Sequence, residues 1–232
     1  MPRTVEFLLV VVALLAGVAS VARATPRVVR AARPRLSAQE RVMEVLLRVE
    51  RQLKTSAYVP VLVVDEAHGR YDFDCSAMAG WVLRQAAPRA RATVKAGRPA
   101  ARDFARAIAA APCDRSRSGW QRVSRIADAQ PGDVLAWKRP PWFPSRNTGH
   151  VAFVVAAPVA VPGGVLVRIA DATSLAHQDD SRIDRGGFGI GTLAVTTDPA
   201  TGAGTGYGWF GQASLDAGYI VPTEVVVGRV ER

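Results

Sequence analysis

At Gly119 the chain changes its grammar, and no other feature constrains its fold as much. Upstream, apolar residues recur at helical spacing; downstream they form short β-branched runs broken by glycine and proline. Ser37-Ala38-Gln39-Glu40 is a capping box, in which the serine caps the helix and the glutamate reaches back. Val42, Val45, Leu46, Val49 and Leu53 then share one face, which predicts a first helix ending near Lys54. Tyr58 to Val64 is a strand or an extended approach. Cys75 to Ala86 reads as a helix with Met78, Ala79, Val82 and Leu83 inward, and Pro88 beyond its end as a stop. Asp103 to Ala111, with Phe104 and Ile108, reads as another helix.

Past Gly119 the expected strands are Val134 to Trp137, His150 to Ala156 and Val165 to Ala170, with Gly191 to Thr196, Tyr207 to Phe210 and Thr223 to Val230 after them. Pro131-Gly132-Asp133 and Pro162-Gly163-Gly164 mark turns, and Thr173 to Gly187 is a long polar loop. Helices first and strands second predict an α+β fold, with N-terminal helices packed on an antiparallel sheet. A chain of 232 residues is long enough for one domain with a full core, read here as 37–232.

The first residues read as an export signal. Arg3 precedes an apolar run from Phe7 to Val18, and Ala22-Arg23-Ala24 is a cleavage site, so residues 1–24 are expected to be removed. An uncleaved anchor is the alternative, although the run is short of the roughly 20 apolar residues that span a membrane. Either way the expected location is periplasmic or secreted, with no stable membrane insertion after cleavage. Residues 25–36, rich in Arg, Ala and Pro, form a solvated linker. The net charge of +10 comes almost wholly from arginine, since Lys54, Lys95 and Lys138 are the three lysines. Such a composition also follows from a GC-rich genome, so it points only weakly to an anionic partner such as a cell wall. No aromatic-basic recognition motif is present, and nucleic acid is not expected as a partner.

Two segments carry chemistry. Tyr71-Asp72-Phe73-Asp74-Cys75-Ser76 puts a thiol at a helix start, where backbone N–H dipoles favour its anion. Asn147-Thr148-Gly149-His150-Val151 puts an imidazole at a strand start. The Pro162-Gly163-Gly164 turn should pair the two strands around it antiparallel, and that returns Asp171 to the side of His150 as the group that orients the base. An ordinary strand-terminal aspartate capping a turn with Thr173 is the competing reading of Asp171. Asp74 and Ser76 flank the thiol, while Trp142 and His177 lie in loops that could contact substrate. The glycine run from Gly186 to Gly191 reads as a turn, not a nucleotide loop. No Cys/His cluster has zinc spacing, and no metal or cofactor is expected.

Asp74-Cys75-Ser76, then Pro131-Gly132-Asp133 before an apolar strand, then Gly149-His150-Val151 resemble the NlpC-type cell-wall peptidases of the papain-like superfamily, relatives of the CHAP amidases. The resemblance covers roughly residues 70–175. Ala77 stands where that family has glycine, and Asp171-Ala172-Thr173-Ser174 stands at its third polar position. It implies a papain-like fold, with Cys75 as nucleophile, His150 as base, Asp171 as orienting residue and Tyr71 as the nearest upstream tyrosine. It also implies peptidoglycan peptides, or another peptide or amide, as substrate.

Two alternatives stay open. The same triad could serve an acyltransferase or deamidase. Or the chain could be a non-catalytic wall-binding module in which Cys75 and Cys113, its two cysteines, form a disulfide.

Overall fold

The capping box closes as its residues require: Ser37 Oγ accepts the Glu40 N–H at 3.1 Å, and the Ser37 N–H donates to Glu40 Oε2 at 2.7 Å. Helix α1 (Ala38–Gln52) follows and buries Val42, Val45, Leu46 and Val49. The structure is a computed structural model that describes residues 35–95, 97–182 and 186–231. The expected signal segment 1–24 and most of the linker lie outside those residues. From Arg35 onward the described residues form one compact unit, and no helix among them is long and apolar enough to cross a membrane.

Three short strands follow, β1 (Thr55–Ala57), β2 (Val63–Asp65) and β3 (Arg70–Asp72), in a small sheet of order β1-β3-β2. Helix α2 (Cys75–Ala86) begins at the thiol, capped by Asp74. Helix α2 ends at Ala86 with Pro88 just beyond it, as expected, and Pro88 also opens a short helix α3 (Pro88–Thr93), because proline fits the first helical position, where no N–H is needed. Helix α4 (Ala101–Ala109) buries Phe104 and Ile108.

The remaining chain is β4 (Trp120–Val123), β5 (Val134–Lys138), β6 (Gly149–Val154), β7 (Val159–Val161), β8 (Gly164–Thr173), β9 (Gly187–Thr197), β10 (Gly204–Gly208), a short helix α5 (Gln212–Asp216) and β11 (Val221–Val230). Its architecture corrects the expected fold class. The protein is mostly β, and the sheet is not an open layer under N-terminal helices. Strands β10, β9, β8, β6, β5 and β11 are hydrogen-bonded in that order, and β10 pairs with β11 to close the ring. The result is a six-stranded antiparallel barrel, with no papain-like layering. One edge of β11 pairs first with β10 and then with β4. That split lets a single ten-residue strand both close the ring and carry an extra edge strand.

Closure explains the burial of the strands. Leu135, Trp137, Ala152, Val154, Val167, Ile169, Leu193 and Val227 fill the barrel interior. Val134, Ala136, Val151, Phe153, Ala170 and Ala172 face outward under α1, α2 and α4, so β5 and β6 are apolar on both faces. The strand that follows the Pro162-Gly163-Gly164 turn does not return directly along β6, since β7 takes the first half of its edge and β6 pairs only at Phe153↔Ala170 and Val154↔Ile169. The run from Gly186 to Gly191 is another correction. It is the start of β9, paired along β8 from Gly187↔Thr173 onward, and not a turn.

Asp133 ties the layers together. Its buried carboxylate accepts the Gln130 N–H at 2.8 Å, Gln39 Nε2 from α1 at 2.9 Å and Arg229 Nη2 from β11 at 3.0 Å. The Pro-Gly-Asp turn is therefore a junction between α1 and the barrel.

Candidate active site

His150 stands at the rim of the barrel, one residue into β6. Gly149 before it has φ +128°, and a Cβ there would strike the Trp137 carbonyl, so the position accepts only glycine. His150, Ala152 and Val154 alternate onto the inner face, as do Ile169 and Asp171 on β8. The register of Phe153↔Ala170 and Val154↔Ile169, continued, sets His150 opposite Thr173 and Asp171 opposite Ala152. His150 and Asp171 are thus diagonal neighbours on one face. His150 Nε2 lies 2.6 Å from Asp171 Oδ2, with both side chains buried.

With Nε2 committed to Asp171, Nδ1 is left for the thiol. Cys75 is the first residue of α2, where the N-terminal dipole favours an anion. Burial raises the Cys75 pKa, but the charge and hydrogen bond of His150 outweigh it, and the net direction is below an ordinary thiol. Ser76 Oγ, 3.7 Å from Sγ, adds to the lowering, while Asp74 opposes it.

Asp171 is held from two further sides. His177 Nε2 is 2.9 Å from the same Oδ2, and Arg182 pairs with Oδ1. Arg182 also pairs with Asp180, and burial pushes its pKa down to about 10, so it stays charged at neutral pH. Burial pushes His177 down to about 4. Its Nδ1–H donates to the Trp209 carbonyl at 3.0 Å, which fixes the ring with Nε2 toward Asp171.

The glycines of β9 make room for this arrangement. A Cβ at Gly191 would stand 2.7 Å from Asp180 Oδ2 and 2.8 Å from His177 Cβ. The loop carrying His177, Asp180 and Arg182 therefore rests directly on the strand.

His150, Asp171 and His177 also offer three donor atoms within 4.8 Å of one another, a spacing open to a metal ion. Two observations favour a proton relay. Contacts of 2.6 and 2.9 Å are direct hydrogen bonds, shorter than the about 3.3 Å between two ligands on tetrahedral zinc. The Arg182 guanidinium already occupies Asp171 Oδ1.

The other expected site residues are distributed as follows. Trp142 is 61% exposed and lines a cleft of about 750 Å³ that also reaches Tyr58, His150, Trp209 and Tyr219. Asp74 does not line the cleft: it caps α2 through the Ala77 N–H at 2.7 Å and pairs with Arg98 at 3.0 Å. Ser76 is buried beside the thiol. Tyr71 is buried away from the site, its hydroxyl on Gln52 Oε1 at 2.8 Å and its ring edge-on to Trp81. The tyrosine beside the thiol is Tyr58, which sequence reasoning left in an apolar run. Burial first, then the Cys75 and Asp74 charges, raise its pKa. Arg182 was missed as well; its only signal is an arginine close in sequence to His177 and Asp180. Cys75 and Cys113 are both free, the first buried and the second exposed, which corrects the disulfide alternative.

No protein-family model, no curated protein and no solved structure matches this chain.

Proposed function

We propose that the protein is a thiol hydrolase of peptide or amide bonds, with Cys75 as nucleophile, His150 as acid and base, and Asp171 as the residue that orients the imidazole. The observation that carries the reading is the position of His150 between a carboxylate 2.6 Å from Nε2 and a thiol whose pKa it pulls down against the effect of burial. That is the arrangement an activated cysteine needs: a base within reach and a third group fixing the base. The fold class lends no support, so the reading rests on the site alone.

In this scheme the Cys75 thiolate adds to the carbonyl carbon, and the His150 imidazolium gives its proton to the leaving amine. Water, deprotonated by His150, then cleaves the thioester and restores the thiol pair. The Cys75 N–H lies at the first helical position, where a helix leaves its donors unpaired, and is suited to the oxyanion. The Tyr58 hydroxyl is a second donor beside the sulfur. The motif resemblance to NlpC-type peptidases extends the proposal to cell-wall peptides as substrate, and the export-like first 24 residues agree with that location.

The test is the pH dependence of Cys75 alkylation by iodoacetamide. Labelling that persists well below the ordinary thiol pKa of about 8.5, and that His150→Ala abolishes, is the expected result. Labelling confined to alkaline pH would remove the enzyme reading.

A further inference from the structure

Beside the aromatic cleft lies a smaller pocket of about 260 Å³ whose charged lining is entirely basic: Arg102, Arg106, Lys138, Arg139 and Arg146. Asn147 and Thr148 complete it with neutral polar groups. We infer that these five cations form a subsite for an oxyanion, a carboxylate or a phosphate, carried by the ligand that fills the cleft. The inference rests on the reading of the cleft as the substrate site.

The charges converge from three separate elements and are hardly compensated. Arg102 and Arg106 are four residues apart on α4, a like-charge pairing that costs helix stability. Lys138 ends β5, and Arg139 and Arg146 belong to the loop after it. Arg106 has one carboxylate nearby, Asp103 at 3.8 Å. Arg102, Lys138 and Arg146 have no ion pair among the described residues. Arg139 spends its N–H groups on carbonyls, with Nε on Asn147 at 2.9 Å and Nη1 on Phe143 at 2.7 Å. Those bonds fold the loop around its guanidinium and leave the positive charge unneutralised. Like charges lining one pocket repel one another, and a bound oxyanion relieves that repulsion while taking up guanidinium N–H donors.

Size and position set the ligand class. A pocket of about 260 Å³ has room for one anionic group. Arg139, Arg146 and Asn147 line both this pocket and the cleft that reaches His150, so an anion seated here continues into the cleft. The substrate is therefore an amide or peptide with an acidic group to one side of the bond presented to Cys75.

The experiment titrates the full chain with inorganic phosphate and, separately, with citrate, by calorimetry at low ionic strength. Cys75 alkylation at neutral pH is measured on the same samples. Saturable binding of at least one anion is expected, weakened at least tenfold in Arg102→Gln/Arg106→Gln, weakened in Lys138→Gln and reduced by added salt. Binding of phosphate alone assigns a phosphate subsite, and binding of citrate alone a carboxylate subsite. If neither anion saturates, or the double variant binds as the unmodified chain does, the subsite is refuted; fast alkylation in those samples leaves the hydrolase reading intact. Anion binding with alkylation only at alkaline pH overturns the assignment to a substrate, because the thiol reading beneath it has then failed.

Discussion

Asp171 Oδ2 lies 2.6 Å from His150 Nε2, although the two residues are not cross-strand partners. They meet diagonally across β6 and β8, and His177, at 2.9 Å, shares the same oxygen. Asp171→Asn keeps the shape and removes the charge that supports the His150 imidazolium. Neutral-pH alkylation of Cys75 should fall by about tenfold or more, one pKa unit corresponding to about 1.4 kcal/mol. An unchanged pH profile in this variant would show that Asp171 does not act through His150.

Tyr58→Phe removes the hydroxyl beside the thiol. A donor beside a thiolate stabilises the anion, so the alkylation midpoint should rise. The sign follows from the direction of the Cys75 shift: its pKa is lowered, so the thiolate persists toward acid, and each lost donor moves it back toward an ordinary thiol. Tyr71→Phe, whose hydroxyl bonds Gln52, should leave the profile where it is.

Asp133→Ala should destabilise the fold by about 3 kcal/mol in urea denaturation. It removes the acceptor shared by Gln39, Gln130 and Arg229, and it leaves a partly buried guanidinium unpaired. Cys75 alkylation of the folded variant should be unaffected, since the turn lies away from the thiol.

Gly191→Ala should cost about 1–3 kcal/mol, because its methyl group would press on Asp180 and His177 at 2.7 and 2.8 Å. The same change should slow neutral-pH alkylation by pushing His177 and Arg182 off Asp171. Thermal melts and labelling rates on one sample check both effects.

Much of the site was legible because its signals are local. A capping aspartate before Cys75 places a thiol at a helix start whatever surrounds it. Gly149 announces the tight entry to β6, and the apolar runs of β5, β6 and β8 announce strands. The position of Asp171 followed from antiparallel pairing, although the path through β7 did not. Tyr58 was not legible, because its approach to Cys75 depends on how the chain leaves β1 and not on a motif. The glycines of β9 were misread as a turn because glycine weakens a strand pattern. Here two of them, Gly189 and Gly191, are the space into which Arg182, His177 and Asp180 pack.

The sequence by itself determined helices α1, α2 and α4 and the strands β5, β6 and β8, where the thiol and imidazole sit on them, and the turn chemistry at Asp133. These follow from periodicity and capping, which act over a few residues. The tertiary structure decided that the sheet closes through β10 and β11 into a barrel. It also decided that Asp171 is enclosed by His177 and Arg182, and that five basic residues from three elements meet beside the cleft. Those outcomes depend on pairings between residues far apart in the chain, and the local pattern is the same whether the sheet stays open or closes.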